Sequence, residues 1–181
     1  ILEEAGGCTE GRPTFEGCCE FDGRFSLVFW RNEFWLYARA NLNRGVRHVQ
    51  VASSPDLRTW SRWHLVRIHG LRHSNTSHTN IYFMGAHVNP LNTSSLVALL
   101  PLNDPAHQRA TLRSSICATF SLDGVHWSPL VPLLPAVPIG DRTADQPAVG
   151  LACCDDGRVH IYMQESVPQI VRRSASSQLV R

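Results

Sequence analysis

The chain has 181 residues, 17 arginines, no lysine and a formal net charge of +2 at pH 7. A charge this small, with the arginines scattered along the chain, excludes the basic surface that nucleic-acid binding requires. No run of 18 apolar residues is present, which excludes a transmembrane helix and predicts no membrane partner.

The residue pattern divides the chain into a lead-in, one folded region and a tail. Residues 1–14 contain several glycines and acidic side chains without periodicity, which predicts a loosely held N-terminal segment. In residues 15–170, short apolar runs alternate with polar turns, as expected of a single domain built from β-strands. Residues 171–181 lose this pattern, and we expect a frayed C-terminal tail.

The first unit of the folded region opens at Asp22-Gly23-Arg24-Phe25 and continues as two strands rich in aromatic residues. Phe25–Trp30 and Phe34–Ala40 form a predicted hairpin joined by Arg31-Asn32-Glu33. Trp30 has two interpretations. It packs between neighbouring sheets, or it offers its ring as a stacking platform for a sugar.

A tight turn after the third strand of this unit occurs twice in the chain. Ser54-Pro55-Asp56-Leu57-Arg58-Thr59-Trp60-Ser61 and Ser121-Leu122-Asp123-Gly124-Val125-His126-Trp127-Ser128 place Ser, Asp, Trp and Ser at the same four positions. The upstream residues 47–52 and 114–119 match position for position. Aspartate and serine favour such turns because their side chains bond to nearby backbone amides, and the tryptophan can cover the hairpin end. These matches favour a repeat over two unrelated hairpins.

Two later segments resemble the opening of the first unit. Asn80-Ile81-Tyr82-Phe83 and Asp145-Gln146-Pro147-Ala148 each precede a second apolar run, at residues 96–100 and 159–163. Prolines become frequent after Trp127, which predicts an edge strand and a crossover loop there. Four short antiparallel strands per unit, with no helical period, are typical of a β-propeller blade.

The Ser-x-Asp frame, with its tryptophan four residues beyond the aspartate, resembles the five-bladed propellers of glycoside hydrolase families 43, 32, 68 and 130. The sialidase Asp-box is similar, but its tryptophan stands one residue further from the aspartate. The resemblance covers most of Asp22–Gln164 and implies an all-β, partial five-bladed propeller. We therefore expect two full four-stranded antiparallel blades and part of a third.

The resemblance also implies a site where the first strands of the blades converge around the channel. In these families an aspartate on the first inner strand is base or nucleophile, a second-blade aspartate orients the substrate, and a glutamate is the acid. Asn80 departs from this pattern because it cannot ionise. The residues carried over by blade phase are Asp22, Asp145 and Glu165 as catalytic groups, with Arg24, Arg39, Asn80, Arg142 and Trp30 as substrate-binding groups.

Three functions follow from this interpretation, and all have a carbohydrate or protein partner rather than a cofactor. The first is a glycoside hydrolase, with a phosphorolytic variant in which Arg24, Arg39 and Arg142 hold an anion. The second is a non-catalytic glycan-binding propeller. The third is a degenerate propeller that serves as an interaction surface, completed by blades of a longer chain or by self-association.

No metal is expected. His69, His73 and His78 are spaced too irregularly for a metal-binding helix. The six cysteines, which include two vicinal pairs, fit no Cys-x-x-Cys frame. They are either buried small side chains in strands or disulfide partners.

Overall fold

The computed structural model describes residues 24–41, 47–71, 80–104, 113–138, 143–153 and 156–168, and none of these residues is helical. The described part of the chain accordingly offers no helix long and apolar enough to cross a membrane. The strands in chain order are β1 (Ser26–Trp30), β2 (Glu33–Asn41), β3 (Arg47–Ser54), β4 (His64–Leu65), β5 (Arg67–Ile68), β6 (Asn80–Ile81), β7 (Gly85–Val88), β8 (Leu96–Asp104), β9 (Arg113–Ser121), β10 (His126–Trp127), β11 (Val131–Pro138), β12 (Thr143–Cys153) and β13 (Val159–Pro168).

The first sheet has the strand order β1-β2-β3-β4, and all neighbours are antiparallel. Its hairpin closes at the pair Trp30↔Glu33, so the connection is one residue shorter than the sequence analysis predicts. The two connecting residues, Arg31 and Asn32, have φ values of 52° and 63°. Two successive positive φ values define the hairpin turn whose twist matches that of its strands.

The second sheet repeats this arrangement, with its first strand split into β6 and β7. β6 and β7 both pair with β8, β8 pairs with β9, and β9 pairs with β10 and β11, all antiparallel. The short strand β5 joins this sheet in parallel to β10, although it follows directly on β4 of the first sheet. The chain therefore crosses from one sheet to the next between Leu65 and Arg67.

The third sheet is the antiparallel hairpin β12-β13. The proline-rich stretch that precedes it forms β11, which pairs with β9 along one side and shows two register shifts. Because proline lacks the N–H that a second neighbour would need, this strand can only lie at an edge or a bulge. The predicted edge strand is confirmed.

The register of the strands confirms the predicted repeat. Ser54, the first residue of the first Asp turn (Ser54–Ser61), pairs with Phe34. Its counterpart Ser121 in the second Asp turn (Ser121–Ser128) pairs with Leu96. From these pairs both ladders continue residue by residue, to Asn41↔Arg47 in the first sheet and to Asp104↔Arg113 in the second. Equivalent residues of the two units therefore have equivalent neighbours.

The two Asp turns share the same hydrogen bonds. In each, Oδ1 of the aspartate accepts the backbone N–H groups two and three residues further on, at 2.7 to 2.9 Å. The indole N–H of the tryptophan donates to the carbonyl of the residue after the aspartate, at 3.3 Å in the first turn and 3.2 Å in the second. The closing serine donates its backbone N–H to the preceding strand at 2.8 Å in both.

The main core lies between the first and second sheets. Tyr37 of β2 is 1% exposed and its hydroxyl donates to the Gly124 carbonyl at 3.0 Å. Burial, with a further contribution from the Asp123 carboxylate, raises the pKa of Tyr37 well above its ordinary value, so the phenol remains a donor. Other members of this core are Val28, Trp30, Val49, Val51, Val66, Ile81, Met84, Ala98, Leu100 and Trp127.

A smaller cluster lies on the opposite face of the first sheet, where Leu36, Ala38, Ala52 and Trp63 are buried and Trp60 packs against them. The predicted all-β class with antiparallel sheets is confirmed by this architecture. The described residues form no closed ring of sheets, and the five-bladed propeller stays a prediction.

Candidate functional site

The openings of the three units meet at one end of the molecule, and Arg24 connects them. Its Nη2 donates to Oε1 of Gln164 at 2.7 Å, and its Nη1 donates to the Pro147 carbonyl at 3.3 Å. Its guanidinium carbon lies 5.1 Å from the centre of the Phe83 ring. One side chain at the start of the first sheet thus contacts the start of the second unit and both strands of the third sheet.

A second arginine lies in the same region, at the far end of β2. Nε of Arg39 donates to the Tyr82 carbonyl at 3.2 Å, and its guanidinium carbon lies 4.7 Å from the centre of the Tyr82 ring. The backbone beneath it is held by Gln50, whose Nε2 donates to the Arg39 carbonyl at 2.8 Å. Arg39 and Gln50 are both buried, so the position of this cation is fixed by the fold.

Arg47, the first residue of β3, approaches the same aromatic ring, with 5.0 Å between its guanidinium carbon and the Tyr82 ring centre. An aromatic ring carries negative charge on its faces and attracts cations placed over it. We call Arg24, Arg39, Arg47, Tyr82 and Phe83 the opening cluster. Tyr82, Arg24 and Arg47 are partly exposed, whereas Arg39 and Phe83 are buried, so the cluster presents one phenol and two guanidinium groups to solvent.

Chemically, the exposed part of the opening cluster supplies the N–H donors of Arg24 and Arg47 and one partly exposed aromatic ring, Tyr82. Planar guanidinium groups bind paired oxygen atoms well, whether of a carboxylate, a phosphate or adjacent hydroxyls. Within the described residues, no group of three or more His, Cys, Asp or Glu side chains could hold a metal ion. The cluster therefore suits the recognition of an oxygen-rich molecule.

Two of the three predicted catalytic residues lie in described strands. Asp145 belongs to β12 and Glu165 to β13, next to the paired residues Gln146 and Gln164. The backbone register therefore places the two carboxyl-bearing residues on neighbouring strands at the level of the Arg24 contact. Asp22 lies outside the described residues.

The predicted substrate-binding residues have separate outcomes. Arg24 and Arg39 lie together in the opening cluster, and Asn80 begins β6, where its backbone pairs with that of Asn103. Arg142 lies outside the described residues. The sequence analysis did not predict Tyr82 and Arg47 as site residues. Tyr82 nevertheless lies in Asn80-Ile81-Tyr82-Phe83, the segment that resembles the opening of the first unit.

Trp30 lies in the core rather than on the surface. It is 4% exposed, and its indole N–H donates to the Thr93 carbonyl at 2.9 Å. The Trp35 ring lies edge-on at 6.0 Å and the Arg31 guanidinium carbon lies 4.2 Å from the Trp30 ring centre. Of the two interpretations of this residue, packing between sheets agrees with its surroundings.

Two further reactive side chains do not belong to the opening cluster, the partly buried His87 and the buried Cys117. Burial lowers the pKa of His87 in β7, which keeps its imidazole neutral at pH 7. Cys117 in β9 is a free, buried thiol whose pKa is raised by burial, with a weaker opposing effect from its contact with Ser115. A thiol in this state is unreactive.

Comparison with known proteins identifies a fold similarity and no family. No protein-family model matches the chain, and no curated protein sequence matches it. Among solved structures, the chain resembles an N-acetylgalactosamine deacetylase from F. plautii, crystallised in complex with blood group B trisaccharide. The TM-score is 0.54 at 20% identity, over 78% of this chain and 40% of that chain. The chain thus shares the fold of less than half of this larger protein.

Proposed function

We propose that the chain is part of a five-bladed propeller of the glycoside hydrolase-like kind and that it binds an oligosaccharide at the opening cluster. The observation that carries this proposal is the contact of Arg24 with Phe83, Pro147 and Gln164. It brings the openings of three successive units to one place. In a propeller, the first strands of the blades surround a common channel and create such a meeting point.

The chemistry of the opening cluster supports a carbohydrate ligand. A sugar presents rows of hydroxyls, which need fixed donors, and C–H faces, which pack on aromatic rings. Arg24 supplies donors held in place by protein contacts, the buried Arg39 fixes the Tyr82 backbone, and Tyr82 supplies a partly exposed ring. Small-molecule sites commonly combine apolar surface with a few polar groups that fix orientation.

The fold similarity gives this proposal a second, weaker support. The solved structure that the chain resembles was obtained in complex with a trisaccharide. The similarity concerns the fold, and its ligand is a reason to choose carbohydrates as the first probes. Blood group B trisaccharide is a defined starting compound for such a screen.

Catalysis is a further part of the proposal. Asp22 would act as the base or nucleophile, and Asp145 or Glu165 would supply the second carboxyl group. Glycoside hydrolysis requires two such groups on either side of the scissile bond, separated by roughly 5 to 10 Å. If phosphate replaced water, the reaction would be phosphorolytic. Arg24, Arg39 and Arg142 would then hold the phosphate anion.

The test is a binding titration against an oligosaccharide panel, followed by an assay for released sugar. We expect Arg24→Gln and Tyr82→Leu each to weaken binding about tenfold, equivalent to about 1.4 kcal/mol. Arg58→Gln is the matched control, because Arg58 is an exposed arginine of the first Asp turn and makes none of the contacts of the opening cluster given above. Asp22→Asn is expected to abolish sugar release while binding and thermal stability stay unchanged. Equal affinities for the unaltered chain and both cluster variants would refute the site.

A further inference from the structure

The connection between β7 and β8 carries an Asn-x-Ser triplet that the candidate site does not use. The full sequence contains two such triplets, Asn75-Thr76-Ser77 and Asn92-Thr93-Ser94. The first lies outside the described residues, whereas the second lies in the turn between Val88 and Leu96. Asparagine followed two residues later by serine or threonine is the acceptor sequence for N-linked glycans, provided that the middle residue is not proline. Whether the second triplet can carry a glycan depends on its exposure and on the contacts of its side chains.

The turn that contains Asn92 is held together by its backbone. The Asn92 amide donates to the Asn89 carbonyl at 3.1 Å, and the Asn92 carbonyl accepts the Ser95 amide at 2.9 Å. The Asn89 amide in turn donates to the Ser95 carbonyl at 2.9 Å. Because these three bonds join backbone groups, a sugar attached to the side chain of Asn92 breaks none of them.

The side chains of the triplet are exposed, and the carboxamide of Asn92 uses only its oxygen. Oδ1 accepts the backbone N–H of Ser94 at 3.1 Å, which fixes the orientation of the carboxamide. Within the described part of the chain Nδ2 of Asn92 has no hydrogen-bond partner, and Asn92 and Ser94 are both exposed. Asn89 differs, since its Nδ2 donates to Oγ of Ser95 and its Oδ1 accepts the Leu91 amide, both at 3.0 Å. The nitrogen that would carry a glycan is therefore available at Asn92 and occupied at Asn89.

The same turn is anchored to the end of the first sheet that lies far from the opening cluster. The Trp30 indole N–H donates to the Thr93 carbonyl at 2.9 Å, and Nη2 of Arg31 donates to the Ser94 carbonyl at 3.2 Å. Both anchors use backbone carbonyls and leave the side chains of the triplet outside the contact. Arg24 precedes Trp30 by six residues, which corresponds to about 20 Å at the rise of a β-strand. A glycan on this turn therefore stands clear of the opening cluster.

We propose that Asn92 is an N-glycosylation site, modified when the chain passes through the secretory pathway. The donor is an oligosaccharide linked to a lipid diphosphate. Nδ2 of Asn92 loses a proton and bonds to the anomeric carbon of the sugar, while the bond from that carbon to the diphosphate breaks and the lipid diphosphate leaves. The attached sugar lies beside Leu91, which is 76% exposed, and a glycan makes such an apolar surface more soluble. The inference is independent of carbohydrate binding at the opening cluster.

The test is expression of the full chain behind a cleavable secretion signal in eukaryotic cells, followed by intact-mass spectrometry. Every chain carries Asn75→Gln, so that any N-linked glycan reports on the second triplet. We expect an added mass that peptide N-glycosidase F removes, and we expect Asn92→Gln and Ser94→Ala each to abolish it. Ser94→Ala keeps the asparagine but removes the hydroxyl that the acceptor sequence requires. Thr93→Ala is the matched control and should keep the glycan, because this residue contributes its backbone carbonyl to the turn contact.

Thermal unfolding then distinguishes a glycan that the folded turn accommodates from one that is added only before folding. The glycosylated chain should unfold at a temperature no lower than that of its enzymatically deglycosylated form, because the sugar breaks none of the hydrogen bonds of the turn. A lower Tm for the glycosylated chain would overturn the proposal. So would an Asn75→Gln chain that carries no glycan, or an added mass that persists in the Asn92→Gln variant.

Discussion

At the scale of single residues, the residue that follows the aspartate has a similar backbone conformation in both Asp turns but different space around it. Leu57 and Gly124 both adopt left-handed backbone angles, with φ of 62° and 82°. This conformation costs a residue with a side chain about 1–2 kcal/mol and costs glycine nothing. The open first turn accommodates leucine, whereas the Trp35 ring leaves no space for a Cβ at Gly124.

Substitutions at Gly124 and Leu57 should have different effects on the free energy of unfolding. Gly124→Ala should lower the free energy of unfolding by roughly 1–3 kcal/mol, since it adds strain and a clash with Trp35. Leu57→Gly should leave it unchanged or raise it, because glycine relieves the strain at that position. Urea denaturation of the two variants beside the unaltered chain checks both values. A stable Gly124→Ala variant would show that Trp35 moves aside at little cost.

Residue-scale contacts divide into those that the sequence predicts and those that it cannot. The bonds of Asp56 and Asp123 were predictable because donor and acceptor lie within three residues of each other. The approach of Arg47 to Tyr82 was not, since it joins residues 35 positions apart whose chain path depends on the packing of two sheets.

At the scale of elements, the Asp turns depend on the charge of their carboxylates. The backbone amides of Thr59 and Arg58 hold the pKa of Asp56 below its ordinary value of 3.8. At Asp123, partial burial acts to raise the pKa, but the amides of His126 and Val125 together with the His126 ring outweigh it, and the pKa is lowered. A carboxyl with a depressed pKa in the folded state stabilises the fold when it is ionised.

The pH dependence follows from the sign of these shifts. The stabilisation is fully present above the unfolded-state pKa, near 3.8, and is lost as the pH falls through the lower folded-state values. Replacing both aspartates by asparagine, which retains an acceptor oxygen but no charge, should flatten the decline in stability below pH 4. Thermal melts from pH 7 to pH 2.5 measure this slope. Identical acid slopes in variant and unaltered chain would place the titration elsewhere.

The strand pattern was the most predictable feature at this scale. Alternating apolar residues and turn residues located β1, β2, β3 and the Asp turns, and the prolines located the edge strand β11. The parallel pairing of β5 with β10 could not be predicted, because two residues carry no periodicity and their partner lies in another unit.

At the scale of the whole molecule, the two repeated tryptophans perform different tasks despite their identical turns. Trp127 is 3% exposed and belongs to the core between the first and second sheets. Trp60 is only partly buried and packs on the smaller cluster of the first sheet, formed by Leu36, Ala38, Ala52 and Trp63. The first joins two sheets, whereas the second covers part of one.

This difference predicts unequal costs for the same substitution. Trp127→Ala should lower the free energy of unfolding by about 3–5 kcal/mol, the range for large buried aromatic residues. Trp60→Ala should cost less than half as much, because the Trp60 ring is only partly buried. Urea melts provide both numbers. Equal losses would mean that the environment of the ring, and hence the sheet-to-sheet contact, contributes little.

The arrangement of the sheets, and with it the candidate site, was the part least accessible to sequence. The doubled Asp turn indicated that units repeat, and the blade model led us to expect their openings at a common end. The contacts of Arg24 with Phe83 and Gln164 agree with that expectation. Which side chains fill the space between the openings is decided by three-dimensional packing, and Arg39 stacked over Tyr82 has no signature in spacing or composition.

Because the chain crosses from the first sheet to the second between β4 and β5, the repeat in the sequence and the hydrogen-bonded sheet have different boundaries. Residues just before the crossing hydrogen-bond to the first sheet through Val49, and residues just after it bond to the second through Val125 and Trp127. A segment that runs from one opening to the next includes β5, whose pairing partner β10 lies in the following unit. Transplanting one repeat into another protein would therefore fail unless the graft includes the following turn, and mechanical pulling should release the two sheets together rather than one by one.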